Sequence, residues 1–398
     1  MELVYLWVED YKNIKKQGFN FSPRFKCEYD DKNEKLEIID KEETGEFYPK
    51  NFFGNNINIT AIVGENGSGK SSIGEYLFYK NDDGVNKNYI LIYYRDNILI
   101  IDKYRDINIK TCIKYELSNE RISYNSTNIK MIFCFAEHMK PYGHKKSVEK
   151  SNFIMLGALQ EITRYSDLKF NELLKIFDFF KYDNAVKKNF NTYLINGINY
   201  KDLSFGEKSI LSLCILIDEK IENDKLNILF LDEFTVALHP NWERIIIKKL
   251  IEIFKNRNIH FIITSHSPFV LSDIPIQNVV FLEKGKQVYP FEDNQQTFGA
   301  NIHTLLSHGF FMKDGLMGEF AKDKIDTAIK YLNQSKLSDD ELRYCENIIS
   351  IIGEPIIKRE LQRKLDSKKL SKLDKIDEIE EQMRLLEHRL EIIRKNQK

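Results

Sequence analysis

The sequence predicts an α/β fold built on a mixed, largely parallel sheet. Three observations favour this class. An apolar strand pattern at 57–63 runs directly into a glycine-rich loop and a helix-compatible segment. Apolar strands at 226–231 and 259–265 alternate with a helical pattern at 242–254, an order typical of parallel sheets covered by helices. From residue 313 onward the pattern becomes helical.

Length and composition predict a soluble globular protein with two or three structural units. The chain has 398 residues, of which 42% are hydrophobic and 30% are charged, as in ordinary globular domains. The formal net charge of −1 provides no overall positive field for nucleic acid. The five cysteines are scattered singly, without metal-ligand spacing, which favours reduced thiols. We find no secretion signal and no apolar run long enough for a membrane span, and therefore expect a cytoplasmic protein.

The N-terminal part predicts several strands before the glycine-rich loop. Residues 2–9 and 18–21 have the composition of strands, and residues 10–17 between them predict a polar connection. Two further strands are predicted at 25–29 and 35–39, on either side of a turn-like cluster.

Beyond the loop, apolar runs between 89 and 115 predict a small antiparallel sheet, and residues 131–136 predict a buried strand. From about 150 to 200, leucine, isoleucine and phenylalanine recur at helical spacing, which predicts a helical insertion. We therefore expect a first lobe with the loop, a helical lobe, a second lobe and a helical C-terminal region. Their predicted limits are 1–149, 150–222, 223–300 and 301–398.

The glycine-rich stretch matches G-x-x-x-x-G-K-[ST], the phosphate-binding P-loop. Its glycines let backbone N–H groups turn toward an anion, and a helix that begins near Lys70 adds its positive end. In this motif Lys70 reaches the β- and γ-phosphates, and the Ser71 hydroxyl binds Mg²⁺. The candidate nucleotide-binding residues are Gly64, Asn66, Gly67, Ser68, Gly69, Lys70, Ser71 and Ser72. The alternative is a glycine-rich turn that contains a lysine by chance.

Polar residues follow two of the predicted core strands. Asp232 and Glu233 come directly after the strand at 226–231, and open α/β sheets bind ligands at this edge. The next core strand ends at Ser265 and His266. The alternatives are a solvated strand end for the two acids and a loop histidine without a ligand.

A helix is predicted to start near Ser204, which is placed to act as its N-cap. Glu207, three residues later, would complete a capping box. The same residues belong to the stretch Leu203-Ser204-Phe205-Gly206-Glu207. The alternative is that Ser204 is a helix cap and nothing else.

The P-loop, this serine–glycine stretch, the acidic pair and the histidine occur in one order that resembles the ATP-binding-cassette (ABC) ATPases of the SMC, RecF and OLD type. The resemblance covers most of residues 1–285 and implies ATP and Mg²⁺ as cofactors. It implies that Asp232 holds Mg²⁺ together with Ser71, and that Glu233 orients or deprotonates the attacking water. It also implies that His266 contacts the γ-phosphate.

In this family the signature loop of one subunit contacts the ATP of another. The resemblance therefore implies that Ser204 and Gly206 bind the γ-phosphate of ATP held by the opposite subunit. Two subunits would then enclose two ATP molecules, so that ATP binding drives dimerisation and hydrolysis reverses it.

Within this family the sequence resembles compact prokaryotic ATPases that are similar to the ATPase half of OLD nucleases. Similar ATPases are subunits of antiphage systems such as Septu, PARIS and some retrons, and residues 5–14 and 310–321 carry this part of the resemblance. After residue 285 we find neither a strand pattern nor the acidic pair with which a Toprim nuclease binds metal, so we expect no nuclease in this chain.

The resemblance thus implies an ATPase that gates a separate effector nuclease in a defence complex, with direct DNA contact left open. One alternative is a DNA-repair or chromosome-maintenance ATPase that clamps DNA. Another is a structural protein that does not hydrolyse ATP.

Apolar residues near the C-terminus alternate at spacings of three and four. They are Ile376, Ile379, Met383, Leu386, Leu390 and Ile393. This spacing predicts a short coiled coil, and we expect a homodimer or a higher homo-oligomer with the C-terminal helices as a docking surface. The alternative is an amphipathic helix that packs on its own domain.

Overall fold

The computed structural model describes most of the chain. The described residues are 2–79, 88–118, 129–134, 187–189, 192–195, 198–199, 204, 206, 210, 213–214, 217–218, 220–236, 238–291, 295–309 and 317–396. The chain forms two compact units, Met1–Asp314 and Gly315–Lys398. The finer division into four parts stays a prediction, and most of the predicted helical insertion lies outside the described residues.

The first unit is rich in strands. In chain order they are β1 (Glu2–Tyr11), β2 (Ile14–Asn20), β3 (Phe25–Asp30), β4 (Lys35–Asp40), β5 (Ile57–Gly64), β6 (Tyr89–Arg95), β7 (Ile98–Lys103), β8 (Asn108–Lys110), β9 (Tyr115–Leu117), β10 (Ile129–Cys134), β11 (Lys187–Asn189), β12 (Thr192–Ile195), β13 (Ile198–Asn199), β14 (Leu226–Asp232), β15 (Ile259–Thr264), β16 (Val279–Glu283) and β17 (Lys286–Val288).

Helices accompany these strands. They are α1 (Lys41–Thr44), α2 (Lys70–Tyr79), α3 (Pro240–Phe254), α4 (Pro268–Ser272) and α5 (Ile302–Thr304), with a 3-10 turn at Ile276–Asn278 and a π-helical turn at Leu305–Gly309. The described residues between 206 and 220 are also helical. None of the helices in the described ranges combines the length and the apolar character needed to span a bilayer.

The centre of the first unit is a six-stranded sheet with the order β10-β14-β15-β5-β16-β17. The first five strands are parallel, and β17 pairs antiparallel with β16. Every residue of β14 and β15 is buried, as expected for strands covered on both faces. The predicted α/β class is confirmed. The expectation of no strand after residue 285 is wrong for β17, which is short and forms only by pairing with its neighbour.

Both faces of the central sheet are covered. On one face lie α3, α4 and the helical residues between 206 and 220. On the other lie α2 and a second sheet with the order β2-β1-β6-β7-β9. The far side of this second sheet packs against a third, β3-β4-β8. Helix α2 thus lies between two sheets, which fixes the loop at its N-terminus.

The predicted polar connection at 10–17 is wrong. Strand β1 continues to Tyr11 and β2 begins at Ile14, so only Lys12 and Asn13 form the turn. The pattern at 14–17 is polar because β2 is an edge strand with an exposed side. Pairing with β1 determines its conformation in spite of that composition.

The sheet predicted between 89 and 115 is antiparallel at β6 and β7. However, β9 pairs parallel with β7, and β8 pairs parallel with β4 in another sheet. Residue pattern identifies a strand but not its partner, and these short strands are ordered by tertiary contacts.

The prediction of helix throughout 150–200 is wrong at 187–199. There β11, β12 and β13 form an antiparallel sheet. The pair Asn196-Gly197 between β12 and β13 is a strong hairpin signal that the helical interpretation did not use.

The second unit is helical, as predicted. It contains α6 (Glu319–Leu332), α7 (Asp339–Ile351) and α8 (Pro355–Asn396), and α7 begins with a complete capping box between Ser338 and Glu341. The core of this unit comprises Ala328, Leu332, Cys345, Ile349, Ile352, Leu361 and Leu365. Further along α8, Ile379, Met383 and Leu386 are each more than half exposed. The coiled coil stays a prediction.

Candidate functional site

The candidate site lies at the carboxyl ends of the parallel strands. Strand β5 ends at Gly64, β14 at Asp232 and β15 at Thr264. A cavity of about 330 Å³ opens there, lined by Lys12, Asn13, Asn66, Gly67, Gly69, Lys70, Ser71, Ser72 and Glu233. The topology therefore brings residues from three distant parts of the sequence, 12–13, 66–72 and 233, to one cavity.

The loop between β5 and α2 curves around Lys70. Gly69 has a φ of +109°, and a Cβ at this position would lie 3.1 Å from Oδ1 of Asn13, so both conformation and space favour glycine. The Lys70 ammonium donates to the carbonyl oxygens of Gly64 and Glu65 at 3.0 and 3.1 Å. Burial lowers the pKa of Lys70, while Glu233 and Asp232 act in the opposite direction. The lysine is thus held inside the loop, where an anion would meet it.

Two hairpin turns support this loop from outside. The side-chain amide of Asn13, in the β1–β2 turn, donates to the carbonyl oxygen of Gly67 at 2.8 Å. The backbone N–H of Gly285, in the β16–β17 turn, donates to the carbonyl oxygen of Ser68 at 2.8 Å. In the same β1–β2 turn, Lys12 forms an ion pair with Glu75 of α2. The conformation of the loop is therefore stabilised by two turns that are distant from it in the sequence.

Asp232 lies beneath the first turn of α2 and is almost fully buried. Its carboxylate accepts a hydrogen bond from the Ser71 hydroxyl, at 3.0 and 2.9 Å to its two oxygens. It also accepts one from Oγ1 of Thr264 at 2.6 Å. Burial raises the pKa of Asp232, and these two donors lower it. A carboxylate paired with a hydroxyl in this way offers the oxygen ligands that Mg²⁺ prefers.

Glu233 follows in a left-handed backbone conformation, with φ of +47°. Its backbone N–H lies 2.9 Å from Oγ1 and 3.1 Å from the carbonyl oxygen of Thr264. Its carboxylate Oε1 lies 3.1 Å from Nε2 of His266. Burial and the nearby Lys70 lower the pKa of His266, against an opposing effect of Glu233. A neutral imidazole protonated at Nε2 can donate to Glu233 and hold it beside the cavity.

The structure brings the predicted P-loop residues, Asp232, Glu233 and His266 together. Ser68 is buried under the loop, and Asp232 reaches the cavity through Ser71. Ser204 is exposed and Gly206 is buried and helical, and neither is among the described residues that line the cavity. The predicted capping partner Glu207 lies outside the described residues.

Three residues of this site escaped the sequence analysis. Lys12 and Asn13 were placed in a polar connection, although a lysine–asparagine pair between two β-type runs is a turn signal. Thr264 carried no signal beyond its place at a strand end, one residue before Ser265-His266. Only the sheet order places it beside Asp232. No cluster of three or more His, Cys, Asp or Glu suited to a metal occurs in the described part of the chain.

Known proteins match parts of this chain. The sequence profile of one family, described as "AAA domain, putative AbiEii toxin, Type IV TA system", matches residues 162–272. "Retron Ec83 probable ATPase" of Escherichia coli is 38% identical over 94 residues, which cover 21% of this chain and 17% of the relative. "Retron Vc95 probable ATPase" of Vibrio cholerae serotype O1 biovar El Tor is 31% identical over 104 residues, which cover 23% of this chain and 20% of the relative. The matches thus span about a fifth of the length of each retron protein.

Among solved structures, the SMC head domain from Thermotoga maritima aligns over 73% of this chain and 100% of its own length, with 16% identity and a TM-score of 0.40. The family profile describes an AAA domain, and both retron relatives are described as probable ATPases. Together with the P-loop, the acidic strand end and the adjacent histidine, they show that this chain resembles ATPases with an AAA domain, among them the probable ATPases of retrons.

Proposed function

We propose that this chain binds and hydrolyses ATP with Mg²⁺, and that ATP-dependent dimerisation gates a separate effector nuclease in an antiphage defence complex. The observation that carries the proposal is that Lys70, Ser71 and Glu233 line one cavity, while Asp232 contacts Ser71 and His266 contacts Glu233 directly behind it. One motif alone would not support ATP hydrolysis, because each motif also has a purely structural explanation. Their convergence from separate elements favours one shared chemistry.

The loop and Lys70 would hold the triphosphate. Lys70 donates to two carbonyl oxygens of its own loop, and its ammonium group would exchange these contacts for phosphate oxygens of the nucleotide. The N-terminus of α2 faces the same space and favours an anion. Lys12 and Asn13 also line the cavity.

Ser71 and Asp232 would hold Mg²⁺. The hydroxyl and the carboxylate already lie about 3 Å apart, and both are hard oxygen donors of the kind this ion requires. When bound, Mg²⁺ would neutralise charge that develops on the phosphates. The fit of this donor set to Mg²⁺ supports the assignment.

Glu233 would orient and deprotonate the attacking water, and His266 would position Glu233. The carboxylate of Glu233 lines the cavity and its side chain is 29% exposed, so it is accessible to water. A base that orients the water is the main protein contribution expected for this reaction. Ser204 and Gly206 would act on the ATP of a second subunit.

The defence role rests on the retron relatives and on the helical second unit. The exposed stripe Ile379, Met383 and Leu386 on α8 has the spacing of a coiled-coil seam. We assign it to contact with a second copy of this chain or with the effector. The predicted absence of a nuclease from this chain stays part of the proposal.

The test is the size of the purified Glu233→Gln variant with and without ATP and Mg²⁺. This change should retain bound ATP while it slows hydrolysis, so the mass should double when ATP is added. Glu252→Gln, on the exposed side of α3, is the matched control and should behave like the unaltered protein. A monomer under both conditions would contradict ATP-dependent dimerisation. An assembly that is already large without ATP would assign the contact to α8 instead.

A further inference from the structure

We propose that Thr264 is a positioning residue whose single hydroxyl group holds the carboxylate of Asp232 and the backbone of Glu233 in one arrangement. The inference rests on the proposed ATP hydrolysis and deepens it. It assigns a role to a side chain that touches neither the cavity nor a phosphate. As a consequence, the positions of the metal-binding Asp232 and of the catalytic Glu233 depend on the same hydroxyl group.

The hydroxyl of Thr264 makes two hydrogen bonds of opposite sense. It donates to Oδ1 of Asp232 at 2.6 Å and accepts from the backbone N–H of Glu233 at 2.9 Å. Thr264 is completely buried at the end of β15, and β15 pairs with β14 so that Thr264 lies opposite Asp232. The strand register therefore sets where this side chain lies, and burial keeps bulk water away from its two hydrogen bonds.

Asp232 has a second donor, but the two donors are not equivalent. The Ser71 hydroxyl is itself assigned to Mg²⁺, so its contact with Asp232 has to change when the ion binds. Thr264 lies on the opposite side in the neighbouring strand and has no such second task. It is the donor that keeps Asp232 oriented both before and after metal binding.

The contact with Glu233 has a different role. Glu233 has a left-handed backbone, with φ of +47°, a conformation that a residue with a Cβ adopts only when its surroundings enforce it. Its N–H points at the hydroxyl and the carbonyl oxygen of Thr264. These acceptors hold the turn that aims the Glu233 side chain toward the cavity and His266.

Thr60 on the neighbouring strand β5 provides a matched control. It is also completely buried, and its hydroxyl also makes two contacts, with the carbonyl oxygen of Phe21 at 2.6 Å and with Nε2 of His260 at 2.8 Å. None of these partners belongs to the candidate site. Thr60→Val therefore removes an equally buried hydroxyl from the same sheet without altering the site.

The experiment compares Thr264→Val, Thr264→Ala, Thr264→Ser and Thr60→Val with the unaltered protein. Three quantities are measured: ATP binding in the presence of EDTA, the Mg²⁺ concentration for half-maximal hydrolysis, and kcat. Loss of a group that orients a metal ligand typically costs about 10- to 100-fold in metal affinity or activity. We expect Thr264→Val and Thr264→Ala to raise the half-maximal Mg²⁺ concentration by that factor and to lower kcat.

Two further results are expected. ATP binding in EDTA should stay within about twofold, because the loop and Lys70 do not contact Thr264. Thr264→Ser, which keeps a hydroxyl group, should need the same half-maximal Mg²⁺ concentration as the unaltered protein. Thr60→Val should lower the unfolding temperature without changing that concentration. If Thr264→Val does not fold, Thr264→Ala and Thr264→Ser decide the question by the same measurements.

The inference is overturned if the Thr264 variants hydrolyse ATP with an unchanged Mg²⁺ requirement, or if Thr60→Val raises it equally. It is also overturned if Thr264→Ser behaves like Thr264→Val. If the unaltered protein does not hydrolyse ATP at all, the proposed function fails instead, and the two failures are thereby distinguished.

Discussion

The two ends of the central sheet carry the same kinds of polar residue and use them differently. At the carboxyl end, Asp232, Thr264 and His266 lie behind an open cavity and make hydrogen bonds or close contacts to Ser71 and Glu233, which line it. At the amino end, His260 and Thr60 are completely buried. Residue type alone therefore does not separate a site from a structural network.

What distinguishes the ends is how the polar groups are satisfied. Nδ1 of His260 accepts from the backbone N–H of Leu3 at 2.9 Å, and Nε2 lies 2.8 Å from the Thr60 hydroxyl. Each partner there is a permanent part of the fold. Lys70 and Ser71 instead bond to groups that a phosphate or a metal can replace. Substitutions at the amino end should therefore change the free energy of unfolding, and substitutions at the carboxyl end should change ATP binding or hydrolysis.

The largest effect is expected when two lysines are compared, the buried Lys70 and the half-buried Lys41. Lys70 and Lys41 both donate to backbone carbonyl oxygens, and burial lowers the pKa of each. Lys70→Met should weaken ATP binding by about a thousandfold, since it removes two charge-assisted contacts worth about 2 kcal/mol each. Lys41→Met should leave ATP affinity unchanged. Titration calorimetry measures the ATP affinity of both variants. An equal loss of affinity in the two would contradict a specific role of Lys70.

The two histidines provide the second comparison. His266→Ala should lower the rate of ATP hydrolysis by about 100-fold, because Glu233 loses the group that positions it and a positioned general base contributes at least about 100-fold. The unfolding temperature should change little. His260→Ala leaves the N–H of Leu3 buried without an acceptor, so it should reduce the free energy of unfolding by about 2–4 kcal/mol. Hydrolysis per folded molecule should stay normal in that variant. Normal hydrolysis in His266→Ala together with slow hydrolysis in His260→Ala would contradict these roles.

A pH comparison tests the amino end alone. Burial lowers the pKa of His260 to about 3, so below its ordinary pKa the unfolded chain binds a proton that the folded chain does not. Stability from this residue is therefore complete above about pH 6.5 and falls as the pH decreases. Between pH 7.5 and 5.5 the unaltered protein should lose about 1.4 kcal/mol more than His260→Gln. Urea unfolding at the two pH values measures the difference, and equal losses would contradict a neutral buried His260.

The smallest effect is expected for two asparagines that each support a strand or loop. Asn13 donates to the carbonyl oxygen of Gly67, and Asn278 donates to that of Ile59 at 3.0 Å. Asn13→Ala should weaken ATP binding about fivefold, because one partly exposed hydrogen bond contributes about 1 kcal/mol. Asn278→Ala should lower the free energy of unfolding by about 1–3 kcal/mol and leave ATP affinity unchanged. A fluorescent ATP analogue and urea titration separate the two outcomes.

The sequence predicted the residues at the carboxyl end of the sheet better than the residues of the β1–β2 turn that support them. Lys70, Ser71, Asp232 and Glu233 were found because the P-loop motif and an acidic strand end are local patterns. Lys12 and Asn13 were missed because their hairpin contacts the loop across more than fifty residues of sequence. A turn of two residues carries little information about what it touches.

The sequence by itself determined the α/β class, the buried parallel strands, the P-loop and the helical C-terminal unit. These depend on periodicity, on local backbone requirements and on apolar runs, which each segment carries within itself. Only the tertiary structure decided the strand order that sets Thr264 beside Asp232, the sheets joined by β8 and β9, and the burial of His260 as opposed to His266. Those outcomes depend on which distant segments pair, and long-range pairing is decided by the packing of the whole unit.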